Sequence, residues 1–226
     1  MKITEAAGER SNYVFLGEAG CGKSELAMNL ALALAAEGRK PVHFFDLDMT
    51  KPLFRSRDAA AVLTAGGVTV HFQEQFYDAP TQVGGPGVLL RDRSCYTVLD
   101  VGGDYMGASA VGGYAPLLRG GDTGVYYVVN PYRPWSMDLE HIDGVLSQVL
   151  GAAHLSVTEL EFVGNPNLGI HTCAEEVQRG LARLEEMLSP YVKLRFGCVW
   201  EELWPMAETA MPLVPLHLYL TYPWEV

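Results

Sequence analysis

The chain has 226 residues and a formal net charge of −11, with 49% of residues apolar and 19% charged. That length suits one α/β domain with a single large core, without requiring a second. The acidic balance argues against a nucleic-acid partner unless a local basic patch exists. No Lys or Arg follows Arg195, which also argues against a basic membrane-targeting helix near the C-terminus.

The opening segment MKITEAAGER has no apolar core of the kind a secretory signal needs. The longest apolar run, near Leu26–Ala36, is too short to span a bilayer. Cys21, Cys95, Cys173 and Cys198 are widely spaced with no CxxC pair, as expected of reduced thiols. These features together predict a cytoplasmic protein with no membrane partner.

In chain order, apolar runs rich in Val, Phe, Tyr and Leu predict strands at Tyr13–Leu16, Val42–Asp46, Tyr96–Asp100, Val125–Val129, Leu160–Val163 and Leu194–Val199. Helices are expected at Lys23–Glu37, Pro52–Leu63, Ala108–Leu118, Ser136–Leu150 and Ala174–Leu188. The first of these ends where Gly38 can turn left-handed and Pro41 prevents continuation. The alternation predicts an α/β fold of three layers, a mostly parallel sheet of about seven strands with helices on both faces. The stretch 66–93, with several glycines and one short strand candidate near Val68–Phe72, reads as an insertion or lid within this single domain. Ligands of such sheets bind outside the carboxyl ends of the strands, so those loops are the ones to search.

The first such loop is Gly17-Glu18-Ala19-Gly20-Cys21-Gly22-Lys23-Ser24, which matches G-x-x-x-x-G-K-[ST] between a strand and a long helix. Glycines at this spacing let successive N–H groups face phosphate oxygens, and the helix N-terminus adds its positive end. Lys23 is expected on the β- and γ-phosphates and Ser24 on Mg²⁺, with Glu25 opening the helix beside them. The next helix residues, LAMNLALALAA, are apolar nearly all round, as in a buried central helix.

The second strand ends in Asp46 and Asp48, two residues apart and able to share one face. One carboxylate can hold the metal's water shell and the other can position an attacking water. Lys51, Arg55 and Arg57 follow, and one of them is a candidate to neutralise γ-phosphate charge. The third strand ends in Asp100, followed by Gly102 and Gly103. An aspartate there holds Mg²⁺ through water, and D-x-x-G spacing lets the Gly103 N–H approach a γ-phosphate. After the fifth strand candidate, Asn165-Pro166-Asn167-Leu168 stands where GTP-specific proteins carry N/T-K-x-D. The guanine-reading carboxylate is absent, which favours ATP, with Asn165 a candidate base contact. The loop Asn130–Trp135 combines aromatic and Arg residues, types enriched at interface hot spots.

These motifs, taken in order with GCVWEELWPMAETAMPL near the C-terminus, resemble the MinD/ParA/nitrogenase-iron-protein superfamily of P-loop ATPases, the SIMIBI class. The resemblance implies ATP and Mg²⁺ as cofactors, Asp48 as the hydrolytic switch carboxylate, Asp100 as the Walker-B aspartate, and a nucleotide-dependent homodimer. It also implies a closing strand, a short acidic loop near the base and a small helix at the C-terminal piece. Glu18 departs from it, standing where the family has a lysine that reaches the partner's nucleotide. Gly107 stands where the nitrogenase iron protein has a cluster-ligand cysteine, so no iron–sulfur cluster is expected. The expected function is a slow ATPase acting as a switch toward a protein partner. The alternatives are a nucleotide sensor without useful turnover, or a small-molecule kinase or ligase using Arg91 and Arg93 in a lid.

Overall fold

The computed structural model describes residues 1–48, 59–71 and 85–220. Lys51, Arg55, Arg57 and most of the helix expected at Pro52–Leu63 lie outside those residues. Eight strands form one sheet: β1 (Asn12–Gly17), β2 (Val42–Leu47), β3 (Val68–His71), β4 (Tyr96–Val101), β5 (Thr123–Val129), β6 (Leu160–Gly164), β7 (Leu194–Trp200) and β8 (Leu213–Leu216). Their order is β3-β2-β4-β1-β5-β6-β7-β8, and every pairing is parallel. The α/β fold expected from the alternation is therefore present, with one strand more than anticipated.

Parallel pairing requires crossovers, and the helices that make them cover both faces. One face is closed by α1 (Ile3–Ala7), α2 (Lys23–Glu37) and α3 (Ala60–Ala65), whose Ala6, Leu26, Leu30 and Leu63 pack with Phe15, Phe44 and Val128. The short helix α4 (Pro86–Leu89) precedes β4. The other face carries α5 (Tyr105–Gly112), α6 (Ala115–Leu118), α7 (Leu139–Ala153) and the end of α8 (Ala174–Leu188), packed on Val14, Leu99, Val125 and Phe162. The chain leaves β1 over the first face and β4 over the second. These neighbouring strands thus send their connections in opposite directions, the arrangement beside whose carboxyl ends such sheets bind ligands.

Local chemistry explains where the elements differ from expectation. The helix expected at Ala108–Leu118 starts earlier, because Asp104 caps it by accepting from Gly107 N at 2.8 Å. It breaks into α5 and α6 at Gly112–Gly113, and Pro116 can enter only the first turn of the second piece. α7 starts at Leu139 rather than Ser136, because Asp138 caps it through His141 N at 2.9 Å. Within 66–93, the strand expected near Val68–Phe72 is β3, which pairs with β2 at the edge of the sheet. Residues 72–84 lie outside those described. At the other edge, the small helix expected after β7 is a single 3-10 turn at Trp204–Met206, and the chain then returns as β8.

Candidate functional site: a glycine-built cradle between β1 and β4

β1 ends at Gly17, whose φ of 138° is accessible only to glycine. A Cβ there would run into Val128 O and lie 3.0 Å from Cys21 Sγ. Gly20 and Gly22 also take positive φ, 75° and 96°, and α2 begins at Lys23. The cradle expected at Gly17–Ser24 is therefore a loop closed by three left-handed glycines at the N-terminus of the longest helix on its face. Lys23 is buried, and its Nζ donates to Glu18 O at 2.7 Å, so the ammonium folds back over the loop it follows. Cys21 is fully buried beneath it, 3.8 Å from Nζ. Ser24 opens the helix and is buried.

The acidic strand ends lie beside this loop. Asp46 on β2 is in register with Asp100 on β4, and Asp100 with Phe15 on β1. Both aspartates and Asp48 are buried, and Asp48 N donates to Asp46 Oδ1 at 3.0 Å. A Cβ on Gly102 would lie 3.1 Å from Asp48 Oδ1. On Gly103 it would lie 2.6 Å from Ala19 Cα and 2.8 Å from Glu18 C. The turn after β4 therefore rests directly on the cradle, and only glycine permits that approach. Asp48 thus lies beside Gly102, Gly103 lies against the loop that leads to Lys23 and Ser24, and Asp100 is in register with Phe15, two residues before Gly17.

Two expected residues hold different positions from those the sequence implied. Asn165 is buried below the cradle, its Nδ2 donating to Cys21 O at 2.8 Å, and a Cβ on Gly22 would collide with that nitrogen. Its amide donor thus braces the loop. Glu18 is only 5% exposed and turns inward, accepting from Ser136 Oγ at 2.6 Å and from Trp135 N at 3.4 Å. Glu25 is also buried, and its two oxygens accept from Tyr219 N at 3.0 Å and Leu220 N at 2.8 Å. Burial pushes its carboxyl up to about 7, against the lowering effect of those two amides.

The sequence did not reveal Arg133 and Ser136 as parts of this site. Arg133 Nε donates to Gly20 O at 2.9 Å, and Ser136 holds Glu18. Their signal was indirect: both lie in the loop after β5, the strand beside β1. Asn29 was missed as well. It exchanges hydrogen bonds with the His217 backbone at 2.8 and 2.9 Å and so straps the segment after β8 onto α2.

The donor set suits a hard cation bridged to phosphates. A serine hydroxyl and carboxylates are the ligands such ions choose, and Mg²⁺ commonly takes only one or two from protein. Among the described residues, no group of three or more His, Cys, Asp or Glu side chains is placed to hold a metal by itself. No helix among them is long and apolar enough to cross a membrane.

No protein-family model matches the chain, and no curated protein matches it in sequence. Among solved structures, it is similar to the signal recognition particle receptor FtsY from Elizabethkingia anophelis in complex with GDP. That match has a TM-score of 0.43 and 14% identity, covering 70% of this chain and 49% of that one. A second FtsY structure from the same organism gives a TM-score of 0.40 and 12% identity, over 72% of this chain and 55% of that one. The chain thus spans about half the length of these structures.

Proposed function

We propose that this chain binds Mg·ATP in the Gly17–Ser24 cradle, hydrolyses it slowly and acts as a nucleotide-controlled switch toward a protein partner. The observation that carries the proposal is the glycine-built loop before Lys23 and Ser24, with the Gly102–Gly103 turn that follows Asp100 packed against it and against Asp48. Backbone N–H groups of residues 17–24 and the α2 N-terminus would hold the phosphates. Lys23 Nζ would exchange Glu18 O for β- and γ-phosphate oxygens. Ser24 and Asp100 would hold Mg²⁺, which when bound offsets phosphate charge. Asp48 would orient the attacking water, and the Gly103 N–H would meet the γ-phosphate. ATP is favoured over GTP because Asn165-Pro166-Asn167-Leu168 lacks the guanine-reading carboxylate.

The test is calorimetric titration with Mg·ATP and Mg·GTP beside phosphate-release assays. A charge-assisted contact to phosphate is worth about 1.5–3 kcal/mol. Lys23→Ala should therefore weaken Mg·ATP by roughly 10- to 150-fold or more and abolish phosphate release. Equal heats for wild type and Lys23→Ala would remove the proposal, and tighter binding of Mg·GTP would reverse the base assignment.

A second reading, a nucleotide sensor without useful turnover, is favoured by the inward turn of Glu18. The carboxylate is tied to Ser136 of its own chain, whereas the resembling family uses that position to reach a partner's nucleotide. Asp48→Asn separates the readings: it should stop phosphate release in a hydrolytic switch and change nothing in a sensor. Size-exclusion chromatography with ATP, ADP and no nucleotide tests the nucleotide-dependent homodimer.

A further inference from the structure

Glu18 sits among residues arranged for anions, yet its own side chain is a carboxylic one. Its burial and its two bonds to the 133–136 loop hold that side chain in a fixed place. A residue serving only as a spacer in the cradle would need no carboxylate, and burying one costs free energy unless it is hydrogen-bonded. The same loop grips the cradle a second time, through Arg133 Nε on Gly20 O.

The loop is anchored at its other side too. Tyr132 Oη donates to Glu176 O of α8 at 2.6 Å, and Arg183 of α8 donates to Met137 O. Its outer surface carries Trp135 and Met137, 58% and 52% exposed, with the indole 5.9 Å from the His141 ring. The segment 132–137 therefore links the cradle to α8 and to an exposed aromatic.

We propose that Glu18 is a positioning residue that ties the 132–137 loop to the cradle, so that phosphate occupancy is transmitted to Trp135 and α8. This rests on nucleotide binding in the cradle. Gly20 C=O and Cys21 N–H belong to one planar peptide unit. Cys21 N donates to Glu18 O at 3.3 Å. A phosphate that takes this N–H turns the whole unit, and with it the carbonyl that Arg133 holds. The phosphate charge also repels the Glu18 carboxylate against Ser136 and Trp135.

The experiment records tryptophan emission during Mg·ATP titration, with equilibrium dialysis measuring bound nucleotide independently. Wild type should show a nucleotide-dependent change that disappears in Trp135→Phe. Ser136→Ala should at least halve that change per nucleotide bound, as dialysis counts it, and Ser136→Thr, which keeps the hydroxyl, should restore it. If Ser136→Ala does not fold, Glu18→Ala carries the same test, since it deletes the acceptor of both bonds to the loop. Normal binding with an emission change that survives Trp135→Phe, or that is full-sized in the folded variant, overturns the coupling. Dialysis showing no bound nucleotide overturns the parent reading and the coupling with it.

Discussion

The two ends of the same sheet differ in what they bury. At the carboxyl end lie Glu18, Lys23, Glu25, Asp46, Asp48 and Asp100, every buried charged side chain among the described residues. At the amino end the buried polar groups are neutral: Ser11, Asn12 and Thr97. Charges there keep part of their surface in solvent, as Arg39 does with Glu9 and Glu37, and Glu161 with Arg10 and Arg195. Burying charge costs several kcal/mol per ion even after relaxation, so a fold concentrates it only where something compensates. The left-handed glycines of the cradle, Gly17, Gly20 and Gly22, stand at the same end. Left-handed glycines occur at the amino end too, at Gly8, Gly38 and Gly67, so the buried charge is what distinguishes the carboxyl end as the candidate site.

Substitutions that alter the two ends equally would break this contrast. The largest effect is expected from Gly103→Ala. The added Cβ would lie 2.6 Å from Ala19 Cα, backbone against backbone, and neither side can give as a flexible side chain would. Overpacking of this kind costs about 1–3 kcal/mol. Because the displaced element is the turn over the cradle, Mg·ATP hydrolysis should fall more than the denaturation midpoint does. Unchanged turnover would show that the turn has no part in the chemistry.

Asn165→Ala comes next. It deletes the donor to Cys21 O and leaves a buried carbonyl without that partner, at a cost of about 1–3 kcal/mol. Mg·ATP affinity should drop by roughly 5- to 100-fold, with equal losses for ATP and GTP, because the side chain braces the loop. A selective loss of one nucleotide would instead make Asn165 a base reader.

Much of this end was legible in the sequence. The motif Gly17–Ser24, the strand-end positions of Asp46 and Asp100 and the alternation of elements together located the crevice, because each depends on spacing along the chain. The bracing by Arg133 and Ser136 was not legible, since their contacts cross more than a hundred residues and follow from β5 lying beside β1. β8 was hidden for another reason: it has four residues, one of them Pro215. A strand that short signals itself weakly, and proline is tolerated there because the strand lies at the sheet's edge. Glu18 and Asn165 were visible as residues, but the direction their side chains take was not.

At the amino end the effects should be smaller and purely structural. Tyr13 Oη donates near Arg10 O at 2.9 Å and Gly8 O at 3.1 Å, and burial pushes its hydroxyl up from 10 to about 12. A raised value means the neutral form is favoured by folding. Its stabilisation is therefore complete below pH 10 and is lost as pH rises through about 12. Tyr13→Phe should cost about 1 kcal/mol at neutral pH and remove that share of the alkaline loss, while Mg·ATP binding stays unchanged.

The smallest effect is expected from Arg39→Ala. The guanidinium is 59% exposed, 3.3 Å from Glu37 and 3.6 Å from Glu9, whose side chain is 96% exposed. Exposed pairs of this kind are screened by water and salt, and must hold two long side chains still to gain anything. The denaturation midpoint should shift by no more than about 0.5 kcal/mol equivalent, and nucleotide affinity should be unaltered. This variant is also the sharpest control on the contrast between the ends. It removes a full positive charge from a protein of net charge −11, so any general electrostatic influence on an anionic ligand would appear here too. If Arg39→Ala weakened Mg·ATP as strongly as the cradle variants, affinity would depend on overall charge, and the buried charges between β1 and β4 would lose their special claim.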